Sequence, residues 1–403
     1  MILLLKYVLA TLLSTTAAIQ LAPRSESPRA ISLPIQKSKL HPEDALRRDR
    51  NRIRKRQDGY VQVGLQNQIN LYAINFTLGT PPQQLSLSID TGSSDLWVNV
   101  PTSGQCGQGG AGCQGGTFNV DDSSSYQVVG QDAFNISYVD GSNAAGDYAT
   151  DTLGIGSVSV ENFQFGTGET SDVFQGVMGI GYAANEVQVH GGNQAYPNLP
   201  VALRDAGHTA AVAFSLWLDT LTADSGELLF GAVNPNKYSG SLQTVPIVST
   251  RGVYTSFIIA LTGLTVNGQA QTASDLPIAV LLDSGSSLTY LPTDLLEPIL
   301  NDVQAVYDQD NGVAFAACKL GQSDATIQFN FSGAVINVPY SELLIPATTV
   351  AGAGPRLENG DEACYFGISE ASGHVAILGD TFLRSAYVVY DLERVSRFET
   401  FKS

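Results

Sequence analysis

Residues 85–98 read LSLSIDTGSSDLWV, and residues 278–292 read IAVLLDSGSSLTYLP. Each is an apolar run that ends in Asp, a small hydroxyl residue, Gly and Ser: Asp90-Thr91-Gly92-Ser93 in the first, Asp283-Ser284-Gly285-Ser286 in the second. Such runs read as buried-type strands, and the Gly-containing tetrapeptides that close them read as tight turns. The echo continues downstream, where Val177-Met178-Gly179 follows the first turn and Ile377-Leu378-Gly379 follows the second at nearly the same distance. One such tetrapeptide is an ordinary turn. Two of them, each behind an apolar strand and ahead of an apolar-apolar-Gly step, imply two lobes of similar build, with a seam in NPNKYSGSLQ near residue 240.

The surrounding sequence agrees. From Gln57 onward, short apolar or alternating runs such as INLYAINFTLG and VYTSFIIALTGLTVNG are separated by Gly, Asn, Asp and Pro, which predicts strands. Helical periodicity is confined to short places, LPVALRDAG and TDLLEPILNDV, each opening near Pro or Asp. The 403 residues are 43% hydrophobic and only 15% charged, a composition that suits a folded, strand-rich chain and excludes a disordered one. The expected fold class is all-β with a few short helices.

The residue types in the two turns point to a definite chemistry. Two carboxylates within hydrogen-bond range share one proton, so that one member serves as base and the other as acid. A water between them loses a proton to the ionised member while the protonated member polarises a carbonyl, with no metal, cofactor or covalent adduct. Gly92 and Gly285 are expected to permit the tight turns, Thr91 and Ser284 to brace the two loops, and Ser93 and Ser286 to orient the carboxylates. A serine hydrolase is disfavoured because no G-x-S-x-G elbow is present.

The ends of the chain have their own character. MILLLKYVLATLLSTTAA is too short and too interrupted by Lys6 to span a bilayer, and its small-residue exit reads as a cleaved secretory signal, residues 1–18. Residues 19–56 carry eleven Lys/Arg against four Asp/Glu and end in the dibasic Lys55-Arg56, a candidate processing site for a basic propeptide. Removing residues 1–56 leaves nine basic against 34 acidic residues, a body that repels phosphate, so nucleic acid is not an expected partner. A basic segment on an acidic body is held partly by charge, and acid is expected to loosen it. Cys106, Cys113, Cys318 and Cys364 form an even set whose spacings match no zinc pattern; three disulfide connectivities are open, of which the sequence-near pairing is preferred. Sequons at Asn75, Asn135 and Asn330 are glycosylation candidates in a secreted chain.

DTGSSDLWV and LLDSGSSLTYLP resemble the two active-site loops of the pepsin-like aspartic proteases, including fungal secreted and yapsin-type members. The likeness extends through FNVDDSSSY, ISYVDGSNAAGDYATDT, VFQGVMGIGY, GELLFGAVNP and VAILGDTFLRSAYVVYD, and so covers nearly all of residues 65–395. It implies a bilobal fold, two pseudo-twofold-related β lobes (57–240 and 241–403) with a cleft between them. It further implies a secreted, monomeric endopeptidase without a membrane anchor, made as a zymogen inhibited by its own propeptide and cutting proteins and peptides in acid between Asp90 and Asp283. Tyr138 is similar to the flap tyrosine that reaches toward Trp97, with Asp140 and Gly141 offering backbone contacts; Val139 departs from the Gly that many members carry there. Cys106–Cys113 and Cys318–Cys364 look like the family's bridges. Lys37 or Lys39 is a candidate partner for the catalytic carboxylates in the zymogen. The short, uncharged GQGGAG loop argues for broad specificity, whereas the acidic body keeps a preference for basic substrates open. A binding protein of the same fold without catalysis is the alternative, and both intact aspartates weigh against it.

Overall fold

In the computed structural model, the described residues are 21, 23, 29–38, 66–67, 71–106, 112–138, 142–249, 252–271, 276–308, 312–348, 355–371, 375–393 and 396–400. They are mostly strand, with short helices at Val187–His190, Leu199–Asp205, Thr293–Asp302, Tyr340–Leu343 and Asp380–Leu383. Both sequence-predicted helices are present, the second carrying Leu295, Leu296 and Ile299 on its buried face.

The duplicated motif is a duplicated topology. In the first lobe, strand Gln83–Asp90 pairs antiparallel with Leu71–Leu78 and parallel with Val177–Gly179, which runs antiparallel to Leu96–Asn99, itself parallel to Val158–Gly168. In the second lobe, Ile278–Leu282 pairs antiparallel with Ile258–Leu261 and parallel with Ala376–Leu378, which runs antiparallel to Thr289–Leu291, itself parallel to Ile368–Glu370. Order and direction repeat through five strands. In each lobe the Asp-bearing turn thus emerges between two strands held by a third, and the apolar-apolar-Gly step is that third strand. Its glycine is dictated by space. A Cβ on Gly179 would lie 2.7 Å from backbone atoms of Ser94 and Asp95, and one on Gly379 would run into the carbonyls of Ser286 and Leu288.

One sheet of 14 strands crosses the seam. Strands Ala386–Asp391 and Ser396–Thr400, from the far end of the chain, continue the sheet beyond Ala213–Trp217 and Ser225–Phe230. Between Ser225–Phe230 and Leu71–Leu78 lies strand Ile31–Ser38, from the basic segment that precedes Arg56. Its alternating Ile31, Leu33 and Ile35 are buried in the main core, so sheet pairing and apolar burial hold this segment. Lys37 is the one candidate zymogen cation of the sequence reading whose side chain is described, and it does not meet the Asp90–Asp283 pair. Its Nζ donates to the carbonyls of Thr220 and Leu221, because the antiparallel register delivers Lys37 to the turn before Ser225. Lys39, Lys55 and Arg56 lie outside the described residues.

The same corner holds a buried ion pair. Arg384 Nε donates to Glu342 Oε2 at 2.7 Å and its Nη2 to the Glu342 carbonyl at 2.6 Å, while the Leu221 amide donates to the same carboxylate. Under the flap of the first lobe lies a second polar cluster. Asp95, 1% exposed, accepts hydrogen bonds from Tyr148 Oη (2.8 Å), Tyr196 Oη (3.0 Å) and the Val187 amide (2.9 Å). Beside it, the fully buried Glu186 accepts from the Tyr196 amide through Oε2, and its Oε1 has no partner among the described residues. Burial, reinforced by the Asp95 charge, pushes the Glu186 carboxyl up to about 8, and burial raises Asp95 against the pull of its three donors.

Two stability predictions follow from these clusters. Arg384→Met leaves the Glu342 carboxylate buried without its cation and is expected to cost about 3–5 kcal/mol in chemical denaturation; a loss under ~1 kcal/mol refutes the ion pair's role. For Glu186 the folded-state value lies above the ordinary 4.5, so the folded chain holds a proton that the unfolded chain releases. Its contribution is complete below about pH 4.5 and is lost as pH rises toward 8. Glu186→Gln is expected to flatten the decline in stability across that interval, read as unfolding midpoint against pH; an unchanged slope rejects the assignment.

Candidate active site

The two Asp turns face each other across the lobe boundary and are joined by a reciprocal set of hydrogen bonds. The Thr91 amide donates to Ser284 Oγ (3.2 Å) and the Ser284 amide to Thr91 Oγ1 (3.0 Å). Each hydroxyl then donates across to the strand opposite, Thr91 Oγ1 to the Leu282 carbonyl and Ser284 Oγ to the Ile89 carbonyl, both at 3.0 Å. A buried hydroxyl both donates and accepts, which is why these positions carry Thr and Ser.

Each carboxylate is held in the same way. Asp90 Oδ1 accepts from the Gly92 amide (2.8 Å) and Oδ2 from Ser93 Oγ (2.6 Å). Asp283 Oδ1 accepts from the Gly285 amide (2.9 Å) and Oδ2 from Ser286 Oγ (2.7 Å). The Asp90 and Asp283 side chains are almost fully buried. The two Oδ1 atoms point inward: a Cβ on Gly92 would lie 2.7 Å from Asp283 Oδ1 and 3.1 Å from Asp90 Oδ1, and one on Gly285 would lie 2.5 Å from Asp90 Oδ1 and 3.1 Å from Asp283 Oδ1. The two glycines thus have a spatial role beside the tight turns expected of them. Neither has positive φ; each is glycine because the opposite carboxylate takes the room of a side chain.

The pair opens into a cleft of about 410 Å³, lined by Asp90, Gly92, Ser93 and Asp283, by Leu281 and Ile377 of the second lobe, by Asn135–Tyr138, and by Asn185, Val187 and His190. Over it stands the hairpin of strands Gln127–Ser137 and Asn143–Ile155. The Trp97 indole donates to Tyr138 Oη at 2.7 Å, and Trp97 packs with Phe134, Ile136 and Tyr148, fixing the stem of the hairpin. Asp140 and Gly141, expected to contact substrate through their backbone, lie outside the described residues, as does Val139. Disulfides join Cys106 to Cys113 and Cys318 to Cys364, away from the cleft lining. Asn75 and Asn135 are exposed and Asn330 is half-buried; Asn135 lines the cleft.

Several lining residues escaped the sequence reading. Leu281 and Ile377 sit in apolar runs read only as strand, and His190 stands in a segment with no motif. Asp95 carried a faint signal, an acid placed directly against Leu96-Trp97-Val98 where a strand begins.

The described geometry can be set beside known proteins. The family model for eukaryotic aspartyl proteases matches residues 71–397. Over 376 residues the chain is 47% identical to the probable aspartic-type endopeptidase opsB of Aspergillus oryzae, spanning 92% of this chain and 75% of that protein. It is 37% identical to secreted aspartic protease 8 of Candida albicans over 83% of this chain and 76% of that one, and 36% identical to an acid protease of Saccharomycopsis fibuligera over 85% and 84%. The crystal structure of the aspartic proteinase from Irpex lacteus superposes with a TM-score of 0.69 at 20% identity, covering 93% of this chain and 98% of that one, and shows the shared bilobal all-β fold. A braced pair of Asp turns at the mouth of a cleft, on a chain matched by the family model over most of its length, thus belongs to a member of the eukaryotic aspartyl protease family, an aspartic-type endopeptidase.

Proposed function

We propose that Asp90 and Asp283 are the catalytic pair of this endopeptidase and that they hydrolyse peptide bonds in acid through a water held between their inner oxygens. The observation that carries the reading is the twofold arrangement of the two carboxylates, each tied by its own Gly amide and Ser hydroxyl. In that setting one carboxyl carries a proton and the other does not. The ionised member takes a proton from the water as its oxygen attacks the scissile carbonyl carbon, while the protonated member gives its proton to the carbonyl oxygen. The resulting gem-diol collapses as the amide nitrogen accepts a proton and the C–N bond breaks, so no acyl-enzyme forms. Ser93 and Ser286 occupy the outer oxygens, and the inward Oδ1 atoms, each accepting from a Gly amide, are the ones assigned to the chemistry.

The substrate is an extended polypeptide laid along the cleft beneath the hairpin, with Tyr138 closing over it and Asp140 and Gly141 supplying backbone contacts. Leu281, Ile377 and Ile136 give the cleft its apolar surface. We read the chain as a secreted, monomeric zymogen: signal peptide 1–18, propeptide 19–56 ending at Lys55-Arg56, and a mature enzyme of two lobes, 57–240 and 241–403. The buried strand Ile31–Ser38 supports an inhibitory segment integrated with the body, and the names of the Candida and Saccharomycopsis relatives support secretion and acid activity.

Asp90→Asn and Asp283→Asn are each expected to lower kcat on a peptide substrate at acidic pH at least ~10²-fold while leaving the unfolding midpoint close to that of the parent. Near-normal turnover by either variant rules out the pair. Replacing Lys55-Arg56 by Ala-Ala should yield a longer secreted form with reduced activity, read by N-terminal sequencing and peptide hydrolysis; an unchanged mature N-terminus removes the processing site.

A further inference from the structure

The cleft lining beyond the two Asp turns is partly polar. Apolar Leu281 and Ile377 flank the carboxylates, but the flap strand brings Asn135 and Ser137 to the same space, the short turn Ala183–Asn185 brings Asn185, and the helix Val187–His190 brings His190. His190 is exposed, and its Nε2 lies 3.3 Å from Asn185 Oδ1. Among the described lining residues no Lys or Arg is present, so His190 alone offers a positive charge there. The acids near it are committed: Asp95 is buried under three donors, Glu186 is fully buried, and Asp90 and Asp283 are tied by their own turns.

From this lining we infer that His190 is a specificity-determining residue that receives a carboxylate side chain of the substrate, Asp or Glu, within a few residues of the scissile bond. The inference rests on the dyad reading above. A histidine offers ring N–H donors and the capacity for positive charge, and such a group sheltered on one side by a cleft wall pairs with a substrate carboxylate better than one in open solvent. The amides of Asn135 and Asn185 line the same space and complete a polar subsite. The strongly acidic body acts in the opposite sense, but at long range and subject to salt screening; it draws basic polypeptides toward the molecule without selecting the residue seated in this subsite. Local lining and global charge therefore separate into specificity and encounter.

The test is a set of peptides, each with Glu or Gln at one successive position around a fixed cut site, hydrolysed at about pH 5, where a substrate Glu is mostly ionised, by the parent, His190→Gln, His190→Lys and Asp90→Asn. At one position the parent is expected to favour Glu over Gln by about threefold to tenfold in kcat/KM, the size of a partly sheltered ion pair, with the difference carried by KM. His190→Gln should bring that ratio to about one, and His190→Lys should restore it. A ratio that stays the same in His190→Gln while both peptides are cleaved overturns the inference and leaves the dyad reading standing. Cleavage by Asp90→Asn at the parent's rate overturns the dyad reading and this inference with it.

Discussion

Two hydroxyl groups facing each other across a lobe boundary hold this molecule in its working form. Thr91 and Ser284 each accept the other's amide and donate to the other's incoming strand, so neither turn can shift without breaking bonds in both. The bonds are buried, and a buried donor or acceptor left without a partner costs about 1–3 kcal/mol. The brace therefore fixes distance and orientation together. Everything nearer the cleft inherits that precision: the Gly amides and Ser hydroxyls that aim the carboxylates belong to the same two turns.

The brace in turn needs rigid supports, and the sheets supply them. Each Asp turn leaves a strand clamped by a parallel neighbour, and the glycine of that neighbour admits the turn at a distance no side chain would allow. The long sheet beneath ties the end of the chain to its beginning, and the strand Ile31–Ser38 lies inside it. A propeptide attached by surface charge alone would leave as carboxylates protonate. On the proposed reading of the strand Ile31–Ser38 as propeptide, its departure gives up the sheet pairing and the apolar burial of Ile31, Leu33 and Ile35, and acid alone weakens neither. The electrostatic expectation drawn from composition thus describes only part of what holds the segment.

How much of this was legible in the sequence follows from how local each feature is. The Asp turns, their bracing hydroxyls and the echo of the apolar-apolar-Gly steps are short patterns whose chemistry is readable in a few residues, and so are the two helices. The need for glycine at 92 and 285 was visible, but its cause was not: the obstruction is an atom on the opposite turn, and no turn geometry in either segment alone reveals it. Lys37 shows the converse. Its charge invited pairing with a carboxylate, whereas strand register, a property of the assembled sheet, carried it to two carbonyls. The Asp95–Tyr148–Tyr196–Glu186 cluster and His190 depend on segments far apart in the chain, with Asp95 standing beside the first turn as the one local hint.

The cluster under the flap gives acid a structural meaning as well as a catalytic one. A water-activating carboxyl pair works with a single proton between its members, which ties turnover to acid. Glu186, buried beside Asp95 with one oxygen unpartnered, is accommodated best when protonated, and its carboxyl holds the proton to about pH 8. Ionisation there places a second charge against Asp95 inside the wall that carries Val187 and His190 on its cleft side. Rising pH thus strains the cleft wall through a group outside the lining. On the proposed reading of Asp90 and Asp283, protonation thus matters twice, once in the cleft and once behind its wall, although the residues responsible share no motif.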